Sequence, residues 1–137
     1  MLTVTRRETF NAAHRLYNPE WDEAKNQEVF GKCNNPNWHG HNYVLFVDVT
    51  GSIDPETGYV IDMKKLSTLI KSEVLEVFDH SNLNLDVPAM SGIIPTAENI
   101  AIVIWGLLRP HLSNDLKLEV RLHETEKNRV KYSGPNA

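Results

Sequence analysis

The sequence predicts an α+β fold: a four-stranded antiparallel sheet with two helices packed on one face. Three patterns point there. Leu116, Leu118, Val120 and Leu122 alternate with Lys117, Glu119, Arg121 and His123, the period-2 signature of a strand with one buried face. Residues 39–50 alternate in much the same way. Between the two lie two apolar stripes of helical period, each opened by an N-capping residue. The order strand, strand, helix, helix, strand, strand (ββααββ) suits a sheet whose helices gather on one side.

Leu2 to Phe10 reads as the first strand, with Thr3, Thr5, Arg7 and Thr9 on one face. Leu2, Val4 and Phe10 share the other, interrupted by Arg6 and Glu8. The strand is expected to end within Asn11-Ala12-Ala13-His14, leaving His14 at its exposed end. Residues 17–29 are polar, carry an Asn18-Pro19 turn signal, and read as a long surface loop with room for one helical turn. The second strand runs from His39 to Thr50, with Tyr43, Leu45, Val47 and Val49 on the parity of His39 and His41. Asp54-Pro55-Glu56-Thr57-Gly58 is a tight connection, and Tyr59-Val60-Ile61 reads as a short strand pairing back.

Asp62 caps a helix to Phe78 whose stripe is Leu66, Leu69, Ile70, Val74, Val77 and Phe78. Residues up to Pro95 read as loop. Thr96 opens a second helix, striped by Ile100, Val103, Ile104, Leu107 and Leu108, which runs to Arg109 and is closed by Pro110. Ile102 and Trp105 lie off that stripe and imply a second contact surface, within the chain or between chains. The third strand, Leu116 to Leu122, turns at Glu126-Lys127-Asn128 into a last strand, Arg129 to Tyr132.

At 137 residues, with 41% apolar and 23% charged residues, the chain fits one soluble domain, 1–137, with its own core. Its 14 basic and 18 acidic residues leave a formal charge of −4, so no global basic field gathers nucleic acid or a membrane surface. An anionic small substrate would need local arginines and lysines. A single cysteine excludes an intrachain disulfide and suits a reducing compartment. The N-terminus lacks the apolar stretch of a signal peptide, and the longest apolar run, Ile100 to Leu108, is too short for a bilayer. A cytoplasmic location is expected.

The chemistry centres on Cys33 to Tyr43. His39 and His41 put two imidazoles on one face of a strand, and Gly40 between them leaves room for a ligand or another backbone. Catalytic zinc takes three protein ligands and keeps one position open. His14 is the best third, because the first two strands should be hairpin neighbours. Cys33 sits in a polar Asn/Pro loop, where it reads as a fourth zinc ligand, a base or nucleophile, or an inert thiol. Asp79-His80, at a helix C-terminus, is either a helix-terminating pair or a proton relay in which the carboxylate orients the imidazole. Glu124 continues the apolar parity of its strand, where a carboxylate is costly unless paired. A planar ligand edge with adjacent N–H donors would satisfy it; a strand twist carrying it to solvent is the plain alternative. Thr96 and Glu98 are ordinary first-turn residues on their own.

Taken together, Phe10-Asn-Ala-Ala-His14, Cys33-Asn-Asn-Pro-Asn-Trp-His39-Gly-His41-Asn-Tyr43, Leu75 through His80, Pro95-Thr-Ala-Glu-Asn99 and His123-Glu124-Thr125 resemble the 6-pyruvoyl-tetrahydropterin synthase family over nearly the whole chain. The Cys-x5-His-x-His element is the most specific part. The resemblance implies the tunnelling fold, with trimers around a barrel, two trimers making a homohexamer, and active sites at subunit interfaces. It implies Zn2+ on His14, His39 and His41, Cys33 as the proton-abstracting base, and Asp79 and His80 completing a relay. Glu124 would anchor the pterin ring, with Thr96 and Glu98 lining the pocket. The implied reaction is a phosphorus–oxygen lyase step in tetrahydrobiopterin-type biosynthesis: 7,8-dihydroneopterin triphosphate to 6-pyruvoyl-tetrahydropterin, with loss of triphosphate.

Within the same superfamily, 6-carboxy-tetrahydropterin synthase of queuosine biosynthesis shares these ligands but typically has a shorter Cys-to-His spacing. The Asn-Asn-Pro-Asn insert therefore favours the pyruvoyl product. A non-catalytic zinc-binding scaffold of the same fold is the reading from a different class. Two departures stand out: Trp38 occupies a position where the animal-type motif commonly has glycine, and Ala97 replaces a hydroxyl residue often found there.

Overall fold

Two 13-residue strands, β1 (Leu2–His14) and β2 (His39–Gly51), pair antiparallel along their whole length and form the spine of the fold. The structure, a computed structural model, describes residues 1–136. Val4 lies opposite Val49, Phe10 opposite Tyr43, and His14 opposite His39. The first strand runs to the last residue of its expected end, His14, because Asn11 to His14 find partners in Asn42 to His39.

The sheet has five strands in the order β3-β1-β2-β4-β5, where β3 is Ser81–Asn82, β4 is Lys117–His123 and β5 is Arg129–Tyr132. The sequence predicts four antiparallel strands; the fifth, β3, runs parallel to β1 beside Ala12 and Ala13 and makes the sheet mixed. His80 creates it. With φ at 60° it turns the chain sharply, and its N–H donates to the Asn11 carbonyl (2.6 Å), laying the next residues along β1. The stretch Tyr59 to Ile61 forms no strand. Bonds from Asp54 N–H to the Tyr59 carbonyl (2.8 Å) and from Gly58 N–H to the Asp54 carbonyl (2.7 Å) close the preceding turn on itself.

Three helices complete the fold. α1 (Glu23–Phe30) occupies the segment expected to be loop. It carries no apolar stripe because polar contacts hold it. Asp22 caps it through the Lys25 N–H, and buried Asn26 exchanges two hydrogen bonds with the backbone of Asn18 (2.7 and 3.0 Å). α2 (63–78) is capped by Asp62 as expected, but its middle turn, Lys71–Leu75, is a π-turn. The sequence contains the cause. Leu66, Ile70, Val74 and Phe78 repeat every four residues, a spacing that drifts by roughly 40° per step around a helix of 3.6 residues per turn. A wider turn absorbs the drift, and all four side chains are fully buried. α3 (Ala97–Leu108) is capped by Thr96, which accepts from the Asn99 N–H.

The core lies between the helices and one face of the sheet. Tyr43, Leu45, Val47 and Val49 of β2 pack with Leu118, Val120 and Leu122 of β4 against the stripes of α2 and α3. Burying each such side chain contributes about 1.5–3 kcal/mol, so this interface fixes where the ends of β1 and β2 lie. Trp105 spends its surplus surface within the chain, donating to the Leu118 carbonyl (2.9 Å) and meeting Tyr132 edge-on, whereas Ile102 stays exposed. On the opposite face, Asp48 accepts from Thr5 and from the Arg121 guanidinium (2.6 and 3.1 Å), joining β1, β2 and β4.

Candidate active site

Register brings three histidines together. His14 ends β1, His39 begins β2 directly across from it, and His41 lies opposite Ala12. Their ring centroids are 4.5 Å (His14–His39), 5.1 Å (His14–His41) and 5.1 Å (His39–His41) apart. One nitrogen from each lies within 4.8 Å of the others, an arrangement able to hold a metal ion.

His14, expected at an exposed strand end, is 1% exposed. It is sealed because β1 continues through it and the chain before α3 covers it. Its Nδ1–H donates to the Pro95 carbonyl (2.8 Å), which leaves Nε2 with a free lone pair in a fixed direction. Burial pushes this imidazole down to about 4, opposed by the bond to Pro95 and reinforced by His39 and His41. His39 is also lowered, by burial and then by His41, with Glu124 opposing. Both rings are therefore neutral near pH 7, as metal binding requires. His39 also keeps Nδ1 buried with no hydrogen-bond partner, an orphan polar atom of the kind that an ion or ligand explains. The residues present fit a zinc ion.

Glu124 does not twist out to solvent. Its side chain is only 18% exposed, and Oε1 lies 4.0 Å from His41 Nε2. Glu124, Thr96 and Glu98 line one cleft of about 490 Å³ together with Leu16, Lys127 and Arg129. A larger cavity, about 850 Å³, lies around Trp105, Arg109 and Glu119 and contains none of the site residues expected from the sequence. Chemistry, not size, identifies the site. Tyr43 lies beneath it: burial and the Glu124 charge push its phenol far up, and its hydroxyl is 3.4 Å from His14 Nδ1.

Asp79 and His80 form a pair, with 3.0 Å between Oδ2 and Nδ1. The Asn11 N–H donates to Asp79 (2.8 Å), and this bond is the main reason the carboxyl sits below its usual range. His80 projects outward, its side chain 82% exposed. Cys33 is exposed on a 3-10 turn (Gly31–Asn34), and its carbonyl accepts from the Leu16 N–H (2.8 Å). Among the described residues, no hydrogen bond joins the Cys33 thiol to Asp79 or His80. One chain brings the three histidines and Glu124 together.

The two sequence departures have structural readings. Trp38 has φ of 69°, a left-handed conformation that glycine adopts without strain, so a glycine at this position is what the backbone favours. Ala97 is the buried first residue of α3. The sequence reading missed the Pro95 carbonyl, whose only signal is its place just before the capping Thr96.

Among the described residues, no helix is long and apolar enough to cross a membrane. The family model described as 6-pyruvoyl tetrahydropterin synthase matches residues 3–135. The chain is 45% identical over 133 residues to the 6-pyruvoyl tetrahydrobiopterin synthase of Drosophila melanogaster, covering 96% of this chain and 79% of that one. The protein of the same name from Homo sapiens is 42% identical over 131 residues, covering 96% and 90%. The solved structure of Caenorhabditis elegans 6-pyruvoyl tetrahydropterin synthase superposes with a TM-score of 0.91 at 43% identity, covering 98% of this chain and 96% of the other. Fold and sequence agree over most of the chain, and the chain belongs to the 6-pyruvoyl tetrahydropterin synthase family, enzymes of the tunnelling fold.

Proposed function

We propose that this chain converts 7,8-dihydroneopterin triphosphate to 6-pyruvoyl-tetrahydropterin with loss of triphosphate, as a zinc-dependent lyase. The observation that supports this best is the convergence of three imidazoles, two held neutral, beside a half-buried carboxylate. Glu124 accepts from the adjacent N–H donors of the pterin edge in the cleft it shares with Thr96 and Glu98. His14, His39 and His41 would hold Zn2+, which would supply Lewis-acid chemistry that makes a C–H of the substrate's side chain more acidic. Cys33 takes up that proton as the base. Asp79 orients His80, which passes the proton on.

With no hydrogen bond between the Cys33 thiol and the exposed Asp79–His80 pair among the described residues, a neighbouring copy supplies the relay. Two sheet edges support such an assembly: β1 pairs with β3 only at Ala12 and Ala13, and β5 pairs with β4 on one side. The working form is a homohexamer built from two trimers, each chain a single domain of residues 1–137. It acts in the cytoplasm on a small molecule, with neither nucleic acid nor a membrane as partner.

Incubating the zinc-loaded protein with dihydroneopterin triphosphate and identifying the pterin formed tests the reading. A dominant 6-carboxy product, or no turnover, would overturn it. Cys33→Ala is expected to retain zinc and lose about 10²-fold or more in kcat, the range of a general base.

A further inference from the structure

Polar contacts just beyond the metal triad connect it to the Cys33 turn. Asn84 pairs with the main chain of Arg15 on both sides: Oδ1 accepts from the Arg15 N–H and Nδ2 donates to the Arg15 carbonyl, each at 2.9 Å. This is a ladder rung made by a side chain, placed where β1 has ended and β3 has stopped. Asn84 is itself held by the bond from its N–H to Asn82 Oδ1 (2.9 Å). The Arg15 side chain reaches the other way. Its Nε donates to the Asn34 carbonyl (2.9 Å) and Oδ1 (3.2 Å), and the guanidinium lies over Tyr17 (4.5 Å). Asn34 is 1% exposed and donates to Glu23 at the start of α1.

Arg15 directly follows His14, and Asn34 directly follows Cys33. We infer that Arg15 and Asn84 are positioning residues that fix Cys33 relative to the histidine triad. Asn84 sets where the Arg15 backbone lies, and the Arg15 Nε–H, shared between the Asn34 carbonyl and Oδ1, holds the Cys33 turn at that distance. A misplacement of about 1 Å at a reacting group is enough to cost ~10²-fold in rate, so an exposed cysteine used as a base requires such support. His14 has its own anchor at Pro95, so loosening the clamp should move the base and leave the metal in place.

The inference rests on Cys33 being the base, and the experiment separates the two. Arg15→Met, which keeps the stem and removes the donors, is expected to lower kcat ten- to a hundredfold, with zinc content unchanged and KM within about threefold. Amide exchange at Leu16, whose N–H bonds to the Cys33 carbonyl, should accelerate. Arg15→Lys should recover activity only in part, and Asn84→Ala should follow Arg15→Met. In a Cys33→Ala background, Arg15→Met should reduce the residual rate no further. Wild-type kcat in Arg15→Met, full recovery in Arg15→Lys, or an equal loss in the Cys33→Ala background would each overturn the clamp. Wild-type turnover in Cys33→Ala alone would instead overturn the base assignment. Should Asn84→Ala fail to fold, the Arg15 variants carry the test alone, since they leave both main-chain bonds to Asn84 intact.

Discussion

His14 combines burial with a single donated hydrogen bond, and its depressed pKa has a thermodynamic consequence. Unfolded, the ring takes up a proton near 6.5; folded, only near about 4. Between those values the unfolded state binds more protons, so stability must fall as pH drops through that window and level off, for this group, below it. Urea titrations of zinc-free protein from pH 7 to pH 4 should show the midpoint falling, and His14→Asn should flatten the slope. An unchanged slope in that variant would assign the pH dependence elsewhere. At this scale the sequence was informative where residues carry a period. His39 and His41 are marked by their i, i+2 spacing, and Glu124 by an apolar parity it violates. Arg15, Asn34 and Asn84 had no such mark, because the bonds joining them cross between distant segments and follow no repeat.

Among the elements, α2 was legible in position but not in pitch, although its four-residue apolar spacing encodes the π-turn. α1 was not legible: a helix held by Asn26 and a cap, rather than by an apolar face, looks like loop in any search for periodicity. β3 is only two residues long and owes its pairing to the turn at His80. Asp48 offers a test at this scale. Burial would raise its carboxyl, but hydrogen bonds from Arg121 and Thr5 outweigh that and hold it below its usual value. A lowered folded-state pKa means a contribution fully present above the ordinary carboxylate range and lost as pH falls through the folded value. Asp48→Asn should therefore cost about 1.5–3 kcal/mol at pH 7, as expected for a charged hydrogen-bonded pair, and progressively less below pH 4. Paired denaturation curves at the two pH values check it; equal losses at both would show that charge is not involved.

For the whole molecule, the alternating strands and capped helices carried the α+β architecture, and what they could not carry is assembly. The proposed hexamer predicts a sedimenting mass near six times the 15.6 kDa chain. A zinc-loaded monomer with full activity would refute both the assembly and the shared relay.

The exposed Asp79–His80 pair at the turn into β3 also bears on inheritance. If catalysis needs a triad from one copy and a relay from the next, two different silent alleles can restore each other. A His39→Ala chain and a His80→Ala chain, each inactive alone, would on co-expression assemble into mixed particles. Some junctions there would join an intact metal site to an intact relay, and activity would return in a fraction set by chance pairing. Two copies of the same defect would gain nothing from mixing.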